Sequence, residues 1–303
     1  MLSLYTNAAS LSTQSAMSST QKDLSTSMQR LGTGYRINSA MDDAAGLQIA
    51  TRLNAQVSGM KVAMRNTQND ISMLQTGEGA LNEATSILTR MKDLATQSAD
   101  ASSSANDQTA MQAEYDALGR ELNNIMTNTS FGGQALLAGA KTGTTAATAT
   151  ALAAGGGKFG AAINFQIGSS STETMSFNAA TQLGQADFDI GSASAAYKTP
   201  GMAGAGTELT GAANATIGLL SNALDSVGAL RSAMGAAANR LDHVNNNLSN
   251  MSNNVTQAKG RIMDTDYASE SANMTTKQML MQASTAMLKQ SNGMSSMAMS
   301  LLQ

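Results

Sequence analysis

The chain has 303 residues and a formal net charge of −3 at pH 7, with one proline, no cysteine and no tryptophan. The absence of cysteine excludes disulfides and thiolate metal sites, and an acidic balance without a dense basic cluster argues against nucleic acid as a partner. Aromatic residues make up only 3% of the chain, whereas methionine contributes 22 residues. The core therefore has to be built from aliphatic side chains of the kind that pack helix against helix.

The N-terminal segment, residues 3–33, is predicted to form an amphipathic helix. Its apolar stripe is narrow. Met17, Leu24 and Leu31 are spaced by seven residues, whereas Leu11 precedes Met17 by only six, which shifts the repeat by one residue. The residues that we expect on this seam are Leu4, Leu11, Met17, Leu24 and Leu31. On a helix otherwise rich in Ser, Thr and Gln, so narrow a stripe favours contact with a partner helix over an ordinary surface helix.

Two further helices are predicted before the middle of the chain. Ser39 and Asp42 have the spacing of a helix N-cap followed by an acid at the third helical position, so a helix is expected over 42–100. Another is expected over 107–128. Asp42 and Asp43 are adjacent carboxylates, but neighbouring positions of a helix point in different directions. Capping at a joint between domains therefore explains Asp42 better than acid–base chemistry does.

The middle of the chain, residues 138–207, loses the helical period. Residues 140–157 are a low-complexity Ala, Thr and Gly segment that we expect to be a surface loop. Alternating apolar and polar residues at 163–167 and again around 175–177 predict a β-hairpin. The glycines before Lys158 lack the flanking Gly and Ser/Thr of a phosphate-binding loop and are interpreted as loop.

The C-terminal segment returns to helical periodicity over 208–255, with a joint at 260–266 and a final helix. That last helix carries two adjacent rows of apolar residues spaced by seven, which is typical of a coiled-coil seam. The rows are Leu280, Met287, Met294 and Leu301, and Met274, Met281, Leu288 and Leu302. Because both ends carry such stripes, we predict a mainly α fold. It is a long antiparallel helical bundle or coiled coil of paired N- and C-terminal helices, with a small β-hairpin region in the middle.

Membrane insertion and general secretion are not expected from this sequence. No run of about 18 apolar residues occurs, so no membrane span and no membrane partner are predicted. The first seven residues have neither a basic segment nor a long apolar one, so we expect no cleaved signal peptide. No cofactor is indicated. Enzymatic activity is not expected either, because the single histidine, His243, leaves little basis for a catalytic dyad and fits a surface or packing role.

Six short segments, four in the N-terminal half of the chain and two near its C-terminus, are shared with one family. They are Leu31–Ala40, Asp42–Leu47, Gly77–Glu83, Phe131–Gln134, Arg261–Ala268 and Ser300–Gln303. Each is modest alone, but in this order and at opposite ends they are specific, and the chain resembles bacterial flagellin over nearly its whole length.

The resemblance implies an architecture and a function. Residues 1–41 with 262–303 would form the inner coiled-coil domain of a filament, and 42–261 a rod domain, with 138–207 as its loop and hairpin portion and no large outer domain. The chain would self-assemble into the flagellar filament used for swimming and would be extracellular. The resemblance also implies export by the flagellar type III route, an export chaperone on the C-terminal helix, and contacts with the filament cap and hook-junction proteins.

A recognition site is implied by the same resemblance. In flagellins detected by the flagellin-sensing Toll-like receptor, an Arg, a Leu four residues later and a Glu on the next helix dominate binding, and Arg90, Leu94 and Glu114 match them. Alternatively, Arg90 and Glu114 make contacts between neighbouring protofilaments and Leu94 is simply packed. The family's receptor surface overlaps its polymerisation surface, so both interpretations can hold.

Two other functions stay open. A hook–filament junction protein would share the terminal coiled coil and the export route, but Asp42–Leu47, the Arg90 region and the closing Leu-Leu fit flagellin better. A secreted signalling ligand that does not polymerise would have little need for heptad-patterned ends.

Overall fold

The computed structural model describes residues 7–138, 156–199 and 206–300, with side chains up to 293 in the last helix. Within these residues the helices are α1 (Ala8–Thr33), α2 (Ala44–Ser98), α3 (Ala105–Asn128), α4 (Ala180–Ala193), α5 (Ala195–Lys198), α6 (Glu208–Gly211), α7 (Ala213–Met263) and α8 (Tyr267–Ser300). The strands are β1 (Ser130–Phe131), β2 (Gln134–Ala135), β3 (Ile163–Gln166) and β4 (Thr174–Phe177), and a 3₁₀ turn covers Lys158–Gly160. The prediction of a mainly helical chain with long packed helices and a small hairpin in the middle is confirmed.

The chain forms two compact units. The first consists of Met1–Val57 with Ser252–Gln303, and the second of Ser58–Met251. Helices α2 and α7 contribute residues to both units. Several predictions concern positions outside the described residues: Leu4, Leu301, Leu302 and all but the last two positions of the predicted loop 140–157. Met294 lies in α8, but its side chain is outside the description.

In the first unit, α1 and α8 pair antiparallel. Near one end Asn7 donates from Nδ2 to the carbonyl oxygen of Ser291, at 3.1 Å. Further along, the Lys277 ammonium lies 2.7 Å from the Asp23 carboxylate. Since one partner rises in number as the other falls, the two helices run in opposite directions.

Two glycine-containing turns show how the chain ends one element and begins the next. Gly34 has φ +75° and ends α1 by donating its N–H to the Arg30 carbonyl, a left-handed cap that glycine adopts without steric cost. Its own carbonyl accepts from Thr265, at 3.0 Å, within the same unit. Gly132 and Gly133, with φ +58° and +80°, form the two-residue turn between β1 and β2, as expected for a type I′ hairpin.

The second unit has a continuous apolar core, to which α2, α3, α4 and α7 contribute. Heptad-like positions of α2 and α7 are fully buried; they include Leu81, Leu88, Met91, Leu220, Val227, Leu230, Met234 and Leu241. The β3–β4 hairpin pairs Phe165 with Met175 and closes one side of this core. Phe177 stacks on Phe165 at 6.2 Å and meets the edge of Phe159 at 5.9 Å between ring centroids. Three of the chain's five phenylalanines therefore lie together at the hairpin.

The middle of the chain contains more helix than the sequence analysis predicted. Residues 180–193 form α4, which buries Leu183, Ala186 and Ile190 almost completely. The helical period was present, because Leu183 and Ile190 are seven residues apart, as are Ala186 and Ala193. It was obscured because alanine and glycine carry little of the hydrophobic contrast that marks a helical face.

Candidate functional site

The two apolar rows of α8 have different surroundings. Met274, Met281 and Leu288 are partly buried, and they lie on the side of α8 that contacts α1. Leu280 and Met287 are 48% and 63% exposed. At 100° of rotation per residue, the second row is turned about a quarter of a circle from the first. One row therefore holds the helix pair together, and the other lies on its surface.

The seam residues of α1 divide in the same way. Leu24 is 6% exposed, Met17 and Leu31 are partly buried, and all three lie on the face towards α8. Leu11 is 64% exposed, because the one-residue slip rotates it away from that face. Ser10 takes the inward position instead, and its hydroxyl lies 3.1 Å from Oδ1 of Asn292.

An exposed apolar surface results on the first unit. We call Met279, Leu280 and Met287 the outer patch of α8; Met279 is 59% exposed. Leu11 and Met28, at 64% and 51% exposure, add to the apolar surface of the same unit on α1. Large aliphatic side chains that remain this exposed on a helix pair are typical of a surface that another protein covers.

The predicted joint residues lie in a turn just before α2. Backbone N–H groups of Ser39 and Asn38 donate to Oδ2 of Asp42, at 2.9 and 3.0 Å. These bonds hold the pKa of Asp42 below its usual value. Helix α2 begins two residues later, and Asp43 caps it by accepting from the N–H of Gly46, at 2.8 Å. Ser39 and Asp42 therefore organise the turn, and the capping residue is Asp43.

In the second unit, Arg90 and Glu114 form an exposed ion pair. Nε and Nη2 of Arg90 both donate to Oε1 of Glu114, at 3.0 and 2.7 Å, and the two side chains are 54% and 46% exposed. Leu94 is only 2% exposed and belongs to the core. The structure thus brings Arg90 and Glu114 together on the surface and places Leu94 behind it in the core. Of the alternative interpretation, this matches the packing of Leu94, and the protofilament contacts of Arg90 and Glu114 stay a prediction.

A buried polar network near this surface was missed by the sequence analysis. The Gln112 side-chain NH₂ donates to carboxylate oxygens of Asp116 and Glu208, at 2.8 Å each. Its carbonyl accepts from the backbone N–H of Leu209, at 2.7 Å. Glu208 also accepts from the N–H of Ala195. The spacing of Gln112 and Asp116 was visible, but Glu208 is 96 positions from Gln112, and no local pattern predicts that contact.

A small polar cleft lies between α2 and β3 in the same unit. Asn66, Asn69, Asp70, Lys158 and Asn164 line it. Burial raises the pKa of Asp70, and the nearby Lys158 ammonium partly opposes this.

Among the described residues, no group of three or more histidine and acidic side chains is arranged to hold a metal, and His243 is exposed. None of the described helices is long and apolar enough to cross a membrane.

Comparison with known proteins relates this chain to one protein family. Residues 4–156 match the bacterial flagellin N-terminal helical region, and residues 217–302 match the C-terminal helical region. Flagellin B of Vibrio cholerae is 33% identical over 373 aligned positions, covering 99% of both chains. Flagellin A of the same species is 35% identical over 397 positions, covering 100% of both. Since both alignments are longer than this chain, these relatives contain residues that it lacks.

A solved structure adds a likeness of fold. A Vibrio parahaemolyticus protein described as flagellar hook-associated has a TM-score of 0.54 and 20% identity, covering 74% of this chain and 100% of its own. At that identity the likeness shows the fold alone. The two helical-region matches and the full-length relatives show more: the chain belongs to the bacterial flagellin family, the subunits of the flagellar filament.

Proposed function

We propose that this flagellin polymerises through its paired terminal helices and that the outer patch of α8 is part of the contact between subunits. The supporting observation is the separation of the two apolar rows of α8. One row pairs with α1, whereas Leu280 and Met287 are left exposed. Burying an exposed side chain of this size contributes about 1.5–3 kcal/mol. A few such contacts per subunit favour assembly, because they offset part of the entropy lost when subunits associate.

Seeded polymerisation tests this proposal. Purified subunit is added to short filament fragments, and growth is followed by electron microscopy. We expect the full chain to elongate the seeds and a truncation lacking 268–303 not to. The double variant Leu280→Ser, Met287→Ser should grow poorly while keeping its helical circular dichroism, because both side chains are exposed.

A matched control uses exposed polar positions on the same helix. Gln278→Ser with Gln282→Ser makes the same number of changes on α8, at two exposed residues, and should grow like the parent chain. Equal growth of the Leu280/Met287 variant and this control would refute the role of the outer patch. A parent chain that only caps fragments would favour a hook–filament junction protein, and one that stays monomeric would favour a signalling ligand.

We further propose that the free subunit is recognised by the Toll-like receptor for flagellin through the Arg90–Glu114 pair. The pair is exposed and preorganised, with two hydrogen bonds to one carboxylate oxygen, which suits a charged contact surface. Leu94 would act by supporting α2 from the core. In a filament the same pair could contact a neighbouring protofilament.

Binding of variants to the receptor ectodomain tests this second proposal. Arg90→Ala and Glu114→Ala should each weaken binding about tenfold or more with little change in stability, because an exposed ion pair contributes only about 0–1 kcal/mol. Leu94→Ala should lower the stability itself. If Arg90→Ala binds as tightly as the parent, the proposed site is wrong.

The remaining partners follow from the family. We propose export through the flagellar type III channel, with a chaperone covering α8 beforehand and the cap and hook-junction proteins contacting the assembled ends. The exposed outer patch supports a need for such cover, since free apolar surface promotes aggregation. Deleting the export apparatus should retain the chain inside the cell, and a chaperone that protects α8 should protect Met279 and Met287 from chemical modification.

A further inference from the structure

We propose that Met279 and Met287 are oxidation sites and that their conversion to sulfoxides blocks assembly of the free subunit. This inference rests on the proposed role of the outer patch in polymerisation. It adds a chemical control of that surface, because the same exposure that allows contact with a neighbour also allows attack by a small oxidant.

The structure ranks the methionines by access. Met279 and Met287 are 59% and 63% exposed, whereas Met91 and Met234 in the second unit are 0% exposed. Within α8 itself, Met274 and Met281 are partly buried on the side that contacts α1. Oxidation of methionine follows solvent access. The outer methionines should therefore react well before the methionines of the core.

The chemistry needs only a peroxide. A lone pair of the thioether sulfur attacks one oxygen of hydrogen peroxide, the O–O bond breaks, and that oxygen stays on sulfur. The second oxygen takes up the proton transferred from the first and leaves as water. Sulfur loses two electrons and the peroxide gains them. The chain has no cysteine, so no thiol of its own competes for the oxidant.

The product changes the character of the surface. A sulfoxide is polar and chiral where the thioether was apolar and flexible, so covering it with a neighbouring subunit would require removing water from a strong hydrogen-bond acceptor. In a filament the outer patch would be covered and protected. We therefore expect free subunits to be sensitive and assembled subunits to be resistant.

Met41 supplies an internal reference. It is 97% exposed. It lies in the turn before α2, whereas the outer patch lies on α8. It should be oxidised at least as fast as Met279 and Met287. Its oxidation therefore reports the dose of peroxide independently of the proposed assembly surface.

The experiment combines mass spectrometry with seeded growth. Purified full-length subunit is treated with graded hydrogen peroxide, each methionine is quantified by peptide mapping, and the critical concentration for growth on seeds is measured. We expect oxidation at Met41, Met279 and Met287 before Met91 and Met234, and a rise in critical concentration of about tenfold or more. Treatment with the two methionine sulfoxide reductases, one for each epimer, should restore growth.

Leucine variants identify the sites that matter. Met279→Leu with Met287→Leu removes the oxidisable groups at nearly constant volume, so its own critical concentration, measured without peroxide, should change little after peroxide treatment. Met41→Leu, the matched control, should stay as sensitive as the parent chain. The proposal is overturned if the oxidised parent grows normally, or if the double variant loses growth on oxidation as fully as the parent.

Two results separate this inference from the function on which it rests. If the untreated parent chain fails to elongate seeds, the proposed function is refuted, and the oxidation effect on assembly falls with it. If the double variant fails to grow without peroxide, rescue of the oxidised parent by the reductases decides the question. Recovery supports the inference, and its absence after the sulfoxides have been removed overturns it.

Discussion

Replacing Gln112 by Leu should destabilise the second unit more than any change at an exposed polar residue. Gln112 is 6% exposed and Asp116 4%, and Glu208 is partly buried, so most of the network is shielded from water. The substitution removes two hydrogen bonds to carboxylates, each contributing about 1.5–3 kcal/mol, and one to a backbone N–H, contributing about 0.5–1.5 kcal/mol. It also leaves Asp116 and Glu208 without the amide group that they share.

The expected loss is about 4 kcal/mol, because the three bonds form one network and do not add fully, and because leucine recovers some apolar burial. Denaturant unfolding of the full chain, followed by circular dichroism at 222 nm, measures it. Gln75→Leu is the matched control, since Gln75 is exposed on α2, and should change stability by less than about 0.5 kcal/mol. A loss below about 1 kcal/mol for Gln112→Leu would refute the idea that this network organises the region.

Three further predictions concern single residues. Gly34→Ala should lower the thermal stability by about 1 kcal/mol or more. The reasons are that φ is +75° there and that the new Cβ would lie 2.9 Å from the Tyr267 hydroxyl oxygen. An unchanged melting temperature would contradict this prediction. The Ser104 hydroxyl lowers the pKa of Asp107, so its contribution is present above the unfolded value of about 3.9 and is lost as pH falls through the folded pKa. Asp107→Asn should therefore flatten the dependence of the unfolding midpoint between about pH 5 and 2, and an unchanged slope would disprove the linkage. Phe159→Ala should cost about 3–5 kcal/mol, because the ring is fully buried; a retained denaturation midpoint would show that the hairpin does not depend on it.

Much of the fold could be predicted because its long helices carry strong periodic signals. Met17, Leu24 and Leu31 lie on one face as their spacing requires, and the alternation at 163–167 formed β3. The boundaries were less certain, since Asp43 and not Ser39 caps α2. Adjacent polar residues can satisfy the same backbone groups in more than one way, and the choice depends on a turn geometry that the sequence pattern does not contain.

The candidate site was only partly predictable, for a different reason. Heptad spacing shows that a residue lies on a stripe, but not whether the stripe faces its own chain or solvent. Leu280 and Met281 are neighbours in sequence and belong to rows of equal regularity, yet only Leu280 is exposed. The distinction depends on which row α1 contacts. Likewise, spacing correctly related Arg90 to Leu94 on one helix but could not show that Leu94 is buried.

The pairing of α1 with α8 has a consequence for the order of folding. Asp23 and Lys277 meet although 254 positions separate them. Closing a flexible loop of that length costs on the order of 5 kcal/mol in chain entropy. The second unit is one continuous segment, Ser58–Met251, and contacts within it close shorter loops. Once it has formed, most of the 254-residue loop no longer adds to the entropy cost of pairing α1 with α8. We therefore expect the first unit to fold last, so that a newly made chain passes through a state with a finished middle and two separate, unpaired ends.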